Sequence, residues 1–179
     1  MSEESDRRVW ERVLAGDSRE FGVLFDRHRD RVFRHLLAPA GSVTDAEDLT
    51  ATVFLELWRR RGSVRFVDDS LLPWLLVTAG NVARNATRAR RRYRLFLARL
   101  PHPDTVQDAA ETAASALALD ERLAALPAAD RRLITLTALE GFTLREASEA
   151  VGISYPAAKM RMSRIRSRFG LLVDNGETS

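Results

Sequence analysis

Residues 126–169 read LPAADRRLITLTALEGFTLREASEAVGISYPAAKMRMSRIRSRF, and this stretch decides the fold of the C-terminal part of the chain. Thr143 and Glu146 have the spacing of a capping box, which predicts that a short helix begins at Leu144. Gly152 is expected to end that helix, because glycine readily turns a chain out of a helix. A second helical pattern follows at once, so the stretch predicts a helix-turn-helix.

The second helix of this stretch has one apolar side and a basic surface elsewhere. Ser154 can cap it, and Pro156 suits its first turn, where the missing N–H group needs no partner. The apolar stripe has the period of a core-facing helix and consists of Ala158, Met162, Ile165 and Phe169. The remaining sides carry Lys159, Met160, Ser163 and Ser167, flanked by Arg161, Arg164, Arg166 and Arg168. Such a helix fits a DNA major groove, although an arginine-rich amphipathic helix alone is more often a solvated surface.

Composition excludes several classes of protein. The 179 residues are 45% hydrophobic, which is enough to bury one core or two small ones. The chain has no cysteine and three histidines, so disulfides and thiolate metal sites are excluded, and neither a metal nor a cofactor is expected. No apolar run approaches the roughly 18 residues needed to span a bilayer, and the N-terminus lacks a signal-peptide apolar region. We therefore expect a cytoplasmic protein without membrane insertion.

Helical periodicity runs through the chain, and no alternating β-branched run bounded by turns occurs, which predicts an all-α protein. We expect helices at Asp6–Ala15, Ser18–Leu37, Asp45–Arg61, Leu71–Arg99, Ala114–Leu126, Ala128–Leu139, Leu144–Val151 and Tyr155–Leu172.

Charge divides the chain more sharply than hydropathy does. Residues 70–103 hold no carboxylate, whereas residues 104–121 hold five carboxylates and no basic residue. Together with the prolines at 101 and 103, this change of sign predicts a flexible acidic linker at 101–113. Two small helical domains, 1–100 and 114–179, would lie on either side of it, and the second is the helix-turn-helix.

The segment 44–62, TDAEDLTATVFLELWRRRG, has the start and stop signals of a single helix. Thr44 and Glu47 have capping-box spacing, and Gly62 is expected to follow the last turn as a C′ glycine. The residues expected to pack inward are Ala46, Thr50, Val53, Phe54 and Leu57. The opposite, polar side carries Asp45, Asp48, Thr52, Glu56 and Arg59. A polar outer face is the default for any helix, so this pattern alone is weak evidence of a partner surface.

The segment 71–94, LLPWLLVTAGNVARNATRARRRYR, turns from apolar to a mixture of asparagine and arginine. Asparagine can hydrogen-bond base edges while arginine holds the DNA backbone. The preceding loop carries Phe66, Asp68 and Asp69, an aromatic ring and acceptors that can hold an unstacked base. Trp74 is more often a core residue, and Phe66 can simply anchor the loop. Gly80 costs about 1 kcal/mol relative to alanine inside a helix and is expected to mark a close helix contact.

No catalytic motif is expected to be functional. His28, Arg29 and Asp30 spell the HRD triplet of protein kinases, but they lie inside an amphipathic helix and no glycine-rich loop or DFG accompanies them. We therefore expect a protein that is not an enzyme.

Taken together and in this order, the segments resemble a bacterial extracytoplasmic-function (ECF) sigma factor, the compact two-domain class of the sigma-70 family. Residues 45–60 resemble region 2.2 of that family, residues 71–92 resemble regions 2.3 and 2.4, and residues 126–169 resemble region 4. The resemblance covers nearly the whole chain. It implies a sigma factor that directs RNA polymerase core to specific promoters and helps to open the minus-10 element.

The resemblance also implies roles for matching positions. The β′ clamp helices of polymerase core would be met by Asp45, Asp48, Thr52, Glu56 and Arg59. The minus-10 element, where one base is flipped into a pocket, would be bound by Phe66, Asp68, Asp69, Trp74, Asn81, Arg84, Asn85, Arg88, Arg91 and Arg92. The minus-35 element would be read by Tyr155, Ala157, Lys159, Met160, Ser163 and Arg164, with Arg145, Arg161 and Arg168 on the DNA backbone.

The implied partners are RNA polymerase core, through its β′ clamp helices and β flap, promoter DNA, and an anti-sigma factor. The protein would be nucleoid-associated and can be held at the membrane by a membrane-anchored anti-sigma factor. The acidic linker would run near the RNA exit path. Since the chain ends at Ser179, soon after the last predicted helix, we expect no additional C-terminal sensory domain.

The chain departs from the family where the recognition helix begins. Tyr155, Pro156, Ala157 and Ala158 stand where small residues with glycine and threonine are common, and Met160 replaces a common serine. Promoter choice is expected to depart from the family most at this point. Two alternatives remain: an autonomous helix-turn-helix repressor or activator with a palindromic site, and a protein-interaction module that kept the fold without promoter activity.

Overall fold

The computed structural model of the chain describes residues 4–97 and 125–169. The helices in these ranges are α1 (Asp6–Leu14), α2 (Arg19–Ala40), α3 (Val43–Arg59), α4 (Leu72–Leu97), α5 (Ala128–Ile134), α6 (Leu144–Val151) and α7 (Tyr155–Phe169). Within the described part of the chain the only β-type pairing is a single bridge between Val67 and Ser70, so the all-α prediction is confirmed. The helix expected at Ala114–Leu126 falls almost wholly outside the described residues.

The chain divides into two compact units, Met1–Ala113 and Ala114–Ser179. In the first unit, helices α1 to α4 pack around one apolar core, whose fully buried members include Val9, Leu24, Val32, Leu36, Val53, Leu57, Leu71 and Leu75. Aromatic rings fill the space between α2 and α3, where Phe25 and Phe54 meet edge to face with their centroids 4.7 Å apart. This core fixes the positions of α3, α4 and the loop between them.

Helix α3 begins and ends at residues other than those predicted. The hydroxyl of Ser42 accepts a hydrogen bond from Asp45 N at 3.1 Å, so the predicted Thr44–Glu47 capping box is wrong and the helix starts at Val43. The prediction that Gly62 is a C′ glycine is also wrong, because residues 61–63 form a turn of 3-10 helix in which Gly62 has no positive φ. The five residues expected to face inward are all buried, as predicted.

Helix α2 extends further than its pattern indicated. It continues past Leu37 through Pro39 and ends at Ala40, where Gly41 takes a left-handed conformation with a φ of 86°. Pro39 has no N–H group to donate to the carbonyl four residues earlier, and the helix ends one residue after it. The extra turn brings the carbonyl of Ala40 to Arg90 of α4, which donates to it at 2.5 Å.

In the second unit the helix-turn-helix has the predicted caps. Thr143 N donates to Glu146 Oε2 at 2.6 Å, and Glu146 N donates to Thr143 Oγ1 at 3.3 Å. Gly152 is left-handed with a φ of 78°, and Ser154 Oγ accepts from Ala157 N at 3.4 Å. The predicted inward residues Ala158, Met162 and Ile165 are buried, whereas the side chain of Phe169 lies outside the description.

The helix expected at Ala128–Leu139 is not uniform. Its α-helical part ends at Ile134, and Thr135–Leu139 form one π-helical turn. Leu133 and Leu136 lie on either side of this change and are both buried. The core of the second unit is therefore held by a helix that widens in its last turn.

Candidate nucleic-acid interface

The loop between α3 and α4 ends in a tight turn that carries two carboxylates. Val67 and Ser70 exchange backbone hydrogen bonds of 3.1 and 2.9 Å, and the two residues between them, Asp68 and Asp69, have φ values of 48° and 61°. Two successive left-handed residues are typical of a type I′ turn, and aspartate tolerates this conformation better than most side chains do. The turn leaves both predicted acidic residues exposed.

A buried carboxylate of α1 organises this turn and the start of α4. Asp6, which is 4% exposed, accepts hydrogen bonds from Leu71 N at 2.7 Å and from Arg27 Nη1 at 2.6 Å. Its Oδ2 also lies 2.7 Å from His28 Nε2 and 3.4 Å from Ser70 Oγ. Burial raises the pKa of Asp6, but the hydrogen bonds from His28, Leu71 N and Arg27 outweigh that effect and lower the pKa to about 2.

The sequence interpretation did not include Asp6 in the site. One sequence signal was present, because His28 falls on the apolar stripe of α2 between Leu24 and Val32. A histidine among buried aliphatic residues needs a polar partner. Nothing in the sequence shows, however, that the partner lies 22 residues away in α1.

The residue after Asp6 covers the aromatic ring of the loop. Arg7 forms an ion pair through Nε with Asp69, and its backbone N donates to the Asp69 carbonyl at 3.2 Å. The guanidinium carbon of Arg7 lies 4.8 Å from the centre of the Phe66 ring. Phe66 itself is half-buried and packs against the core. The ring that was expected to meet a base therefore lies between the core and an arginine.

The predicted minus-10 residues of α4 share one side of that helix. Asn81, Arg84, Asn85 and Arg88 follow spacings of three and four residues, so their side chains project from neighbouring positions on it. Asn85, Arg88, Arg91 and Arg92 are exposed, and Trp74 is half-buried against the core, consistent with the core interpretation of that ring.

Asn81 and Arg84 interact with each other on this side of α4. Arg84 donates through Nη2 to the Asn81 side-chain oxygen and through Nε to the Gly80 carbonyl, the latter at 3.2 Å. Among residues 4–97 and 125–169, no atom outside the helical turn of Gly80 lies within 4 Å of where a Cβ would stand, so the expectation that Gly80 marks a close helix contact is wrong for this part of the chain.

On α3 the predicted polymerase-facing residues lie on the outer side. Asp48, Thr52 and Arg59 are exposed, and Glu56 binds Arg59 and Arg60 at 3.1 Å each. Asp45 lies at the other end of the helix, where its carboxylate is 3.5 Å from Arg90 of α4. The charged groups of this surface are therefore partly paired within the protein.

Two large apolar side chains on the outer side of α3 were missed by the sequence interpretation. Leu55 is 46% exposed and Trp58 is 38% exposed. Leu55 belongs to the stripe of Asp48, Thr52 and Arg59, because residues three, four and seven apart share a helix face. Trp58 lies at the flank of that stripe, where its ring meets Phe21 of α2 edge to face with the centroids 5.5 Å apart. Exposed apolar groups among charges are typical of a protein-binding surface.

In the second unit, α7 presents its polar side to solvent. Lys159, Met160, Ser163, Arg164 and Arg168 are all exposed, as a groove-reading helix requires. Ala157 is half-buried, at the edge of this side.

An aromatic ring links α6 to the start of α7. The Tyr155 ring centre lies 4.8 Å from the guanidinium carbon of Arg145 and 5.9 Å from Lys159 Nζ. Both distances fall within the range of cation–π attraction. Tyr155 therefore brings together two cations, one from each helix, that were both predicted to contact DNA.

Within residues 4–97 and 125–169, no group of three or more side chains is arranged to hold a metal ion. None of the described helices is both long and apolar enough to cross a membrane.

Comparison with known proteins identifies both units. Residues 24–93 match the family described as Sigma-70 region 2, and residues 116–169 match Sigma-70, region 4. The chain is 31% identical over 156 residues to RNA polymerase sigma factor CarQ of Myxococcus xanthus, a match that covers 86% of this chain and 89% of CarQ. The chain belongs to the extracytoplasmic-function group of the sigma-70 family.

Two further relatives agree with this assignment. The chain is 29% identical over 171 residues to the ECF RNA polymerase sigma factor BldN of Streptomyces coelicolor, covering 92% of this chain but 65% of the length of BldN. The solved structure of CnrH, in complex with the cytosolic domain of CnrY, matches 97% of this chain and all of that chain with a TM-score of 0.57 and 26% identity. The chain is a sigma factor that directs RNA polymerase, and the interpretation as an autonomous regulator is not favoured.

Proposed function

We propose that this sigma factor holds a promoter at two points and opens one of them. The observation that carries the proposal is that each unit exposes one basic helix face, α4 in the first and α7 in the second, while the opposite side of each helix is buried. The working domains are residues 1–100 and 114–179, with the segment 101–113 as the linker. Two moderate contacts joined by a linker add through effective concentration, so neither needs to be tight.

The minus-35 element is the target of α7. Lys159, Ser163 and Arg164 face solvent on one side of the helix, where arginine and lysine can reach guanine O6 and N7 in the major groove. Met160, 58% exposed, offers an apolar contact to a thymine methyl group. Arg145 and Arg168 lie next to the exposed side of α7 and bind phosphates of the DNA backbone.

The minus-10 element is the target of the α3–α4 loop and of α4. The loop presents exposed acceptors at Asp68 and Asp69, which suit the hydrogen-bond donors of an unstacked base. Asn85 and Arg88 face solvent on α4, and Arg91 and Arg92 follow as phosphate contacts. Strand opening begins here, because a base held outside the duplex leaves its partner strand unpaired.

Polymerase core binds the outer side of α3. The exposed Asp48, Thr52 and Arg59 supply specificity, the exposed Leu55 supplies apolar area within the same stripe, and Trp58 adds apolar area at its flank. The β′ clamp helices are the expected partner there, and the β flap is the expected partner of the second unit.

Control by a second protein follows from the same surfaces. The relative CnrH was solved in a complex with another protein, the cytosolic domain of CnrY. We propose that an anti-sigma factor holds the present protein inactive by covering its polymerase-binding surface. The protein acts in the cytoplasm at the nucleoid and performs no catalysis itself.

Run-off transcription with purified core polymerase tests this function. We expect new transcripts from a small set of genomic fragments only when the protein is added, and loss of these transcripts with Arg59→Glu, which reverses a charge on the outer side of α3. Tight binding to palindromic duplex DNA without any new transcript would instead support an autonomous regulator. If the protein gives no new transcripts and also binds no DNA, the result would support a protein-interaction module.

A further inference from the structure

The first turn of α1 places an arginine, Arg7, against the α3–α4 loop, and this residue lies outside the family match, which begins at residue 24. Arg7 is held on three sides: its Nε pairs with Asp69, its backbone N donates to the Asp69 carbonyl, and its guanidinium lies over Phe66. The adjacent Asp6 fixes the same turn through Leu71 N and Ser70 Oγ. The guanidinium is thus oriented before any DNA arrives.

The covering arginine changes what a base can contact at this loop. Phe66 packs against the core and lies under Arg7, whereas the Arg7 side chain is 48% exposed. A guanidinium is planar, weakly hydrated and able to stack on aromatic rings. Unstacked bases in single strands are bound in this way, on aromatic side chains or on arginine planes.

We propose that Arg7 supplies the plane on which an unstacked base of the minus-10 strand stacks, with Phe66 beneath it and Asp69 fixing its orientation. This inference rests on the proposed role of the α3–α4 loop in holding such a base. Arg7 is then a binding residue for a single-stranded nucleobase, and Phe66 supports it without touching DNA. The ion pair with Asp69 also offsets the negative charge of the turn near the DNA backbone.

The test uses holoenzyme, assembled from core polymerase and the full chain, on fork-junction DNA with a single-stranded minus-10 element. Each position of that strand is replaced in turn by an abasic site. For the wild type, one abasic position should weaken binding about 10-fold, the size of a lost stacking contact. Holoenzyme with Arg7→Ala should bind intact DNA about 10-fold more weakly than the wild type does. The abasic site at that position should not weaken the binding of this variant any further.

Arg7→Lys separates stacking from folding, because lysine keeps the charge opposite Asp69 and lacks the guanidinium plane. We expect it to bind intact DNA as weakly as Arg7→Ala. Arg8→Ala, which removes the neighbouring exposed arginine, is the matched control and should bind like the wild type.

Two results would overturn the inference, and they differ in meaning. In the first result, the abasic site weakens the binding of Arg7→Ala as much as it weakens that of the wild type, or Arg7→Lys binds like the wild type. Arg7 then acts through charge alone, while the loop still reads a base. If no abasic position affects the wild-type holoenzyme, the loop reads no base, and the proposed role of the loop fails together with that of Arg7.

Discussion

Arg161 of α7 donates a hydrogen bond through Nη1 to Asp130 Oδ1 of α5 at 2.7 Å. The Asp130 side chain is 13% exposed and that of Arg161 is 38% exposed, so the pair is half-shielded from solvent. Arg161 was predicted to contact the DNA backbone, yet this ion pair ties it to the helix that supports the recognition helix. Its first role is to fix the orientation of α7 on α5.

Replacing Arg161 should therefore affect stability more than DNA affinity. We expect Arg161→Ala and Asp130→Asn each to lower the free energy of unfolding of the second unit by about 1 kcal/mol, the scale of a partly exposed ion pair with good geometry. Amide hydrogen exchange of α5 and α7 measures the change. Arg168→Ala, at an exposed arginine of the same helix, should leave exchange unchanged and reduce the salt dependence of promoter binding instead.

The sequence predicted those features that depend on neighbouring residues. Thr143 and Glu146 are three residues apart, so their capping box was visible from spacing alone. The start of α3 was misplaced because Ser42–Asp45 and Thr44–Glu47 both have this spacing. Ser42 caps the helix because the left-handed Gly41 directs the chain into it from that point.

Contacts between distant residues were not predictable in the same way. Asp6 lies 65 residues from Leu71, and Arg7 lies 62 residues from Asp69. Only the packing of α1 against the rest of the first unit brings these groups together. The residue types that we propose for the minus-10 site were therefore visible in the sequence, but the arginine covering Phe66 was not.

Asp6 gives the first unit a characteristic dependence on acid. Its pKa is lowered from 3.8 to about 2 in the folded state, so between these values the unfolded chain binds more protons than the folded one. The contribution of Asp6 is complete above about pH 4 and is lost as pH falls toward 2, by about 2 kcal/mol in total. Denaturant unfolding followed from pH 7 to pH 2 should show this decline.

Asp6→Asn should remove that decline and lower the free energy of unfolding at pH 7 by about 2 kcal/mol, because the buried hydrogen bonds lose their charged acceptor. Asp68→Asn, in the exposed turn, is the control and should stay within about 0.5 kcal/mol of the wild type. If the free energy of unfolding of Asp6→Asn falls with decreasing pH as it does for the wild type, another carboxylate is responsible for the decline.

Gly80 offers a stabilising substitution. Space for a Cβ is open there, and the residue lies inside α4, so Gly80→Ala should raise the free energy of unfolding by about 1 kcal/mol. Gly152→Ala should have the opposite effect, because the φ of 78° at this position strains any residue with a Cβ. We expect it to lower the free energy of unfolding by about 1 to 2 kcal/mol. Thermal unfolding of both variants distinguishes them, and a destabilised Gly80→Ala would show that alanine meets a neighbour there.

Tyr155 should influence minus-35 binding through the two cations around its ring. Each exposed cation–π contact contributes about 0.5 to 1 kcal/mol, so Tyr155→Ala should weaken holoenzyme binding to an intact minus-35 element about fivefold by releasing Arg145 and Lys159. Tyr155→Phe keeps the ring and should bind like the wild type. Fluorescence anisotropy with labelled promoter DNA measures both, and equal losses would assign the effect to the hydroxyl group.

Substitutions in α7 should weaken base recognition, whereas substitutions in α4 should weaken phosphate binding. Arg164→Ala and Lys159→Ala should each cost about 1 to 3 kcal/mol on a matched minus-35 element and much less on a scrambled one, because a bidentate base contact exists only with the right base. Arg91→Ala and Arg92→Ala should weaken binding to both DNAs equally and flatten the slope of log K against log salt by about 0.9 each. Holoenzyme titrations at several salt concentrations measure both quantities. Equal losses of the Arg164 variant on matched and scrambled DNA would place that side chain on a phosphate, and the specificity of α7 would then rest on Lys159, Met160 and Ser163.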